Sequence, residues 1–107
     1  MQPDLEIEIS ADAPATLTVR LLGELDLAAR PVVAEQVTAA LVEQPYVVRV
    51  VIDLGAVRFC DSSGLGALLD IRRVAGKFGT AMVLRSPSAS VARVLDIAGI
   101  DDLLPRE

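Results

Sequence analysis

From Tyr46 to Leu54 the chain reads YVVRVVIDL. Almost every position is apolar and most are β-branched, so the stretch fits a pleated surface. A strand with one wet face would alternate apolar and polar residues. This near-continuous run instead suits a central strand covered on both faces, the environment found inside a parallel sheet. Parallel neighbours need crossover connections, usually helices, and the flanking sequence has that period. Upstream, Val33, Val37, Ala40 and Leu41 recur at helical spacing, with Pro31 suited to a first turn and Pro45 closing the segment. Downstream, Leu65 to Phe78 is predicted as a second helix, with Leu65, Leu68, Leu69, Ile71, Val74, Ala75 and Phe78 facing inward and Gly79 at its end. TAMVLRS, Thr80 to Ser86, is the next strand. Ser88 or Ser90 then caps a third helix that carries Val91, Val94, Leu95 and Ala98 and stops at Gly99.

The first residues read differently. Leu5 to Ile9 alternates apolar and acidic residues, as a half-buried strand near a sheet edge does. After the polar turn SADAPA, Leu17 to Leu22 is a second strand, so the pair forms an antiparallel hairpin. The order is strand, strand, helix, strand, helix, strand, helix, and Ile100 to Leu104 is expected to add a last edge strand. With no repeat, linker or low-complexity block, residues 1–107 are expected to be one α/β domain. Its mixed, mostly parallel sheet has four to five strands, with three to four helices and an N-terminal hairpin.

At 107 residues such a domain buries enough surface for a real core. Aromatic residues make up only 3% of the chain against 52% hydrophobic, so that core must be built from Val, Leu, Ile and Ala. The formal net charge is −5 and the arginines are scattered, which argues against a nucleic-acid partner, since phosphates demand a concentrated basic face. The single cysteine, Cys60, has no partner for an internal disulfide and no metal-type spacing, so it reads as a small buried hydrophobe in a reduced, cytoplasmic protein. Acids at Asp4, Glu6 and Glu8 do not resemble a secretion signal, and no apolar run approaches the ~20 residues that cross a bilayer. Membrane insertion is not expected.

Catalysis lacks its parts. The chain has no histidine, so a Ser-His-Asp triad cannot form, and the G-x-S-x-G elbow is absent. Lys77, the only lysine, is about 20 Å from the first turn of the second helix, at ~1.5 Å per helical residue, which excludes a Ser-Lys pair. SSGLG lacks the Gly-Lys-Ser/Thr ending of a phosphate loop. Asp26, Asp53 and Asp61 each fall near a strand or loop end, where capping and turn roles are expected rather than a metal site. No enzyme, no cofactor and no metal are expected.

What remains is FCDSSGLGALLDI, Phe59 to Ile71. Ser62 sits where a hydroxyl can cap the second helix, and Gly64 and Gly66 keep its surroundings open. A phosphate on that hydroxyl would add about −1.5 to −2 charges. A helix N-terminus tolerates such an anion, whereas an acidic or apolar partner surface does not.

GELDLAA (Gly23 to Ala29), VVIDLGAVRFCDSSGLGALL (Val50 to Leu69) and SVARVLDIAGIDDLLP (Ser90 to Pro105) together resemble the STAS domains of the anti-sigma factor antagonist family, in the family's order and over nearly the whole chain. The middle block is the most specific of the three. The resemblance implies the STAS fold and a non-enzymatic regulator whose unphosphorylated form binds a serine-kinase anti-sigma factor, so that the sigma factor is released. The kinase then phosphorylates the first serine of the motif, here Ser62, and a serine phosphatase resets it. Carried over by position, Asp61, Ser63, Gly64 and Leu65 border the partner contact, Asp26 lies close to the same surface, and Asp53 serves mainly loop structure. Ser63 is the alternative acceptor. Against the family pattern, Cys60 replaces a bulkier aliphatic residue, and the chain ends soon after Leu104, where many relatives continue. The other reading of the same resemblance is a STAS adaptor subunit of a stress-sensing or lipid-transport assembly, its serines acting as caps or docking residues.

Overall fold

The β-branched run lies inside the sheet, with a strand on each side of it. The computed structural model describes residues 2–11 and 13–107; Asp12, in the expected polar turn, lies outside them. Seven elements follow in the anticipated order: β1 (Leu5–Ser10), β2 (Thr16–Leu25), α1 (Arg30–Glu43), β3 (Arg49–Cys60), α2 (Ser62–Lys77), β4 (Ala81–Arg85) and α3 (Ala89–Ala98). The four strands lie in the order β1-β2-β3-β4, with β1 antiparallel to β2 and the other pairs parallel. The α/β class, mixed sheet and N-terminal hairpin are as expected, with four strands and three helices.

One face of the sheet holds the core. Leu17, Val19 and Leu21 of β2, Val50, Ile52 and Leu54 of β3, and Met82 and Leu84 of β4 form one cluster with residues of all three helices. In α1 these are Val33, Val37 and Leu41, a stripe repeating every fourth residue. In α2 they include Leu68 and Ile71, and in α3 Val91 and Leu95. Each such side chain contributes about 1.5–3 kcal/mol by leaving water, and aliphatic packing alone fills the interior.

The second face departs from expectation. Residues alternating with the core set, such as Arg20, Arg49, Asp53 and Arg85, point away from the helices, and exposed ion pairs Arg20–Glu8 (3.1 Å), Arg49–Glu107 (2.8 Å) and Arg85–Glu107 (2.6 Å) lie there. Val51 is fully buried on this side yet outside the core cluster. It pairs with Thr18 on one side and Val83 on the other. A continuous apolar run therefore did not require helices on both faces.

β3 also begins later and ends later than the expected Tyr46–Leu54. Tyr46 and Val48 are exposed, while pairing with β2 continues to Cys60 through two register shifts. Between Arg20 and Leu22 of β2, opposite Asp53 and Ala56, β3 carries one extra residue, and it carries another opposite the step from Gly23 to Glu24. Such bulges break the two-residue period, so the second half of the strand looks like a loop in sequence. Asp53 supports the first bulge, its carboxylate accepting the Gly55 N–H at 3.0 Å.

At the chain's end Ile100–Leu104 is a turn rather than a strand, with the Leu104 N–H donating to the Ile100 carbonyl and the Leu104 side chain buried. The edge contact comes after Pro105, which lacks an N–H to donate. Arg106 bridges Leu84 in parallel, and the Glu107 N–H donates to the Leu84 carbonyl at 2.7 Å. Hydrogen bonds from Arg85, with Arg49 adding to them, hold the Glu107 carboxyl down at about 2. Phe78, expected inside, is the exposed C-terminal cap of α2. Ser88 is the N-cap of α3 and Gly99 its left-handed C-cap (φ 65°), while the Ser90 hydroxyl donates to the Arg58 carbonyl and ties α3 to β3.

Candidate phosphoacceptor site

Strand pairing assembles the site. Leu25, the last residue of β2, lies opposite Cys60, the last residue of β3. The chain leaves both strands with an aspartate, so Asp26 and Asp61 stand at the same end of the sheet. Each carboxylate closes a local turn. Asp26 accepts the Ala29 N–H at 3.1 Å, and its carbonyl accepts the Arg30 N–H at 3.1 Å, which bends the chain directly into α1. Asp61, in an extended conformation, accepts the Gly64 N–H at 2.9 Å and is the N-cap of α2.

The cap is therefore Asp61 and not Ser62. A carboxylate at this point satisfies a free backbone donor and also places negative charge at the positive end of the helix dipole. Ser62 becomes the first helical residue, exposed, with its hydroxyl uncommitted to the helix end. Ser63 and Leu65 are half-buried beside it. Replacing Asp61 by alanine is expected to destabilise the fold by about 1 kcal/mol, roughly 4–8 °C in Tm for a domain of this size, whereas Ser62→Ala leaves Tm nearly unchanged. Paired thermal melts of the two variants check this division of labour.

Gly64, expected on the contact surface, is buried. A Cβ there would run into the Leu25 carbonyl oxygen and stand 2.8 Å from the Cys60 sulfur. The residue serves close packing of α2 against the ends of β2 and β3. Cys60 itself is buried, and desolvation, with the Asp61 charge adding to it, pushes its thiol up to about 11. At neutral pH it stays protonated and unreactive.

Two features were invisible in sequence. Leu27 and Phe59 are exposed apolar residues on either side of the aspartate-led turns, 62% and 46% accessible. Both stand close in sequence to the strand ends from which Asp26 and Asp61 lead, and they leave apolar surface exposed there. On β2, opposite Phe59, a side-chain hydrogen bond with Asp4 raises the Glu24 carboxyl above its usual range. The third carboxylate considered from sequence, Asp53, is spent on the bulge at Gly55 and does not join Asp26 and Asp61. Among the described residues no three His, Cys, Asp or Glu side chains gather as metal ligands, and no helix is long and apolar enough to cross a membrane.

A helical layer on one face of a mixed four-stranded sheet, with Asp-Ser-Ser-Gly opening α2 at a paired strand end, defines a class that sequence comparison also finds. Residues 5–106 match the STAS domain family, and the chain belongs to it. Among curated relatives, it is 31% identical to the anti-sigma F factor antagonist of Paenibacillus polymyxa, over 95% of this chain and 86% of that protein. It is 31% identical to the anti-sigma-B factor antagonist of Bacillus subtilis, over 82% of this chain and 78% of that one. In fold it is similar to the anti-sigma factor antagonist SpoIIAA. The unphosphorylated form of SpoIIAA superposes with TM-score 0.76 at 24% identity, covering 95% of this chain and 88% of that one. Its phosphorylated form, from Bacillus, gives TM-score 0.69 at 22% identity, covering 95% and 91%.

Proposed function

We propose that this protein is a cytoplasmic anti-sigma factor antagonist that acts by binding rather than catalysis, with Ser62 as its phosphoacceptor. In its unphosphorylated form it would bind a serine-kinase anti-sigma factor through the surface around Asp26, Leu27, Phe59, Asp61, Ser63 and Leu65, and so release the sigma factor. The observation that carries this reading is the freedom of the Ser62 hydroxyl: exposed at the first position of α2, it is relieved of capping by Asp61. The names of the matched relatives, and the existence of a phosphorylated form of SpoIIAA, support it.

The kinase step needs only an accessible nucleophile. The Ser62 Oγ attacks the γ-phosphorus of ATP held by the kinase, the bond to the bridging oxygen breaks to release ADP, and the hydroxyl proton passes to a base of the kinase. The product is a dianion on an apolar contact area. Burying it against a partner requires desolvation that the neutral serine does not. A serine phosphatase restores the hydroxyl by hydrolysis.

Intact-mass measurement after incubation with the co-purifying kinase and ATP tests the assignment. One phosphate is expected on the parent protein and none on Ser62→Ala. Unchanged incorporation in Ser62→Ala, lost instead in Ser63→Ala, moves the acceptor to Ser63. Co-purification of transporter or stress-complex subunits in place of a kinase and sigma factor supports the adaptor reading.

A further inference from the structure

Position 66 lies one helical turn after Ser62, and position 70 one turn further, so Ser62, Gly66 and Asp70 form a stripe along α2. Arg30, the first residue of α1, lies across it. Its Nε donates to Asp70 Oδ2 at 2.7 Å and its Nη2 to Oδ1 at 3.3 Å, a two-pronged ion pair that joins the two helices. To reach Asp70 the guanidinium passes over Gly66, where a Cβ would lie only 2.6 Å from Nη1. Residues four apart on a helix face are about 5–6 Å apart at Cβ, and the lean of helical side chains toward the N-terminus carries the Asp70 carboxylate, and the guanidinium it holds, back over Gly66. The Arg30 guanidinium therefore stands one turn from the Ser62 Cβ, and Gly66 places no side chain between them.

Asp70 is also bound independently of Arg30. Arg73 donates to its Oδ1 at 2.8 Å. Asp70 is nearly buried, with 12% of its side chain accessible, whereas Arg30 is 43% accessible and has room to turn. Both arginines hold the Asp70 carboxyl below its ordinary range, Arg30 with the largest effect. Withdrawing Arg30 would leave this carboxylate still paired. A phosphate is a better partner for a guanidinium than a carboxylate already shared with a second arginine, since it offers more charge and the same two-pronged geometry.

We propose that Arg30 is the residue that receives a phosphate placed on Ser62, giving up Asp70 for it. The inference rests on the reading of Ser62 as the modified residue. The exchange removes the ion pair that clamps the start of α1 to α2. Because Arg30 directly follows the Asp26–Ala29 turn, Leu27 shifts with it, and the added charge is accompanied by a rearranged contact surface. The other charged groups along this stretch of α2 are Asp61, Asp70 and Arg73, and Arg58 on β3 is turned to Asp4; Arg30 is the cation held over position 66, one turn from Ser62.

The test uses protein carrying genetically encoded phosphoserine in place of Ser62, made without a kinase. Phosphorus NMR follows the second phosphate pKa in this background and in the same protein with Arg30→Gln or Asp70→Asn. Pairing with Arg30 is expected to lower that pKa by about 0.5–1 relative to Arg30→Gln, and Asp70→Asn keeps it as low or lower. The Arg30 Nε–H resonance is expected to move on phosphorylation. Equal phosphate pKa values with and without Arg30 in folded protein overturn the proposal. Should Arg30→Gln fail to fold, an Nε–H resonance that does not move on phosphorylation overturns it instead. Affinity of the same phosphorylated protein for the partner kinase is measured separately. Unchanged affinity removes the Ser62 reading and, with it, the functional meaning of the exchange, while the phosphate pKa still reports whether the exchange occurs.

Discussion

Ser62→Asp is expected to weaken binding to the partner kinase by about 100-fold or more, the consequence of placing a charge that costs several kcal/mol at a contact surface. Its Tm should move by less than about 3 °C, as for an ordinary surface substitution. The separation of the two effects follows from position. Asp61 already supplies the cap, and a carboxylate at the first position of α2 is favoured by the helix dipole rather than opposed by it. Calorimetric titration with the kinase and a thermal melt of the same preparation give both numbers. A large fall in Tm with binding intact would assign Ser62 to the helix end and remove it from the contact surface.

The largest effect on stability is expected at Gly64. Gly64→Ala drives a methyl group into the backbone carbonyl of Leu25 and against the sulfur of Cys60. A backbone obstacle cannot rotate aside, so the ends of β2 and β3 must separate from α2. Overpacking of this kind costs about 3 kcal/mol or more, or upwards of roughly 12 °C in Tm. Gly76→Ala in the same helix is the control: nothing lies within 4 Å of its Cβ, and removing a helical glycine should stabilise by about 0.5–1 kcal/mol. Melts of the two variants side by side decide the matter. Equal Tm values would mean that the close approach at Gly64 is relieved at little cost.

These expectations show where sequence was informative. The order of elements was legible because β1 alternates, β3 opens on a continuous β-branched run and the helices repeat near every fourth residue, with Gly99 and Pro31 punctuating two of them. The motif around Ser62 was legible as a resemblance, and the strand pairing Leu25–Cys60 accounts for its proximity to GELD. What could not be read depends on partners distant in the chain or on broken periodicity. The second half of β3 hides behind two bulges. The choice of Asp61 over Ser62 as cap turns on where β3 ends, which those bulges decide. Arg30 and Asp70 are 40 positions apart, and neither residue alone suggests the other. Leu27 and Phe59 look like core residues until the fold leaves them outside.

The bulges in β3 have a bearing on the thiol of Cys60. Core-facing residues along this strand fall at Val50, Ile52, Leu54, Val57 and Cys60, so the spacing changes from two to three, twice. Each step of three inverts the inside–outside parity of everything downstream, and the second inversion undoes the first. Straightening either one alone, with every residue kept, would trade places between neighbours: Phe59 would turn inward and the sulfur outward, where its proton becomes easier to lose and oxidants gain access. The inertness of the lone cysteine is thus a matter of even arithmetic within its own strand.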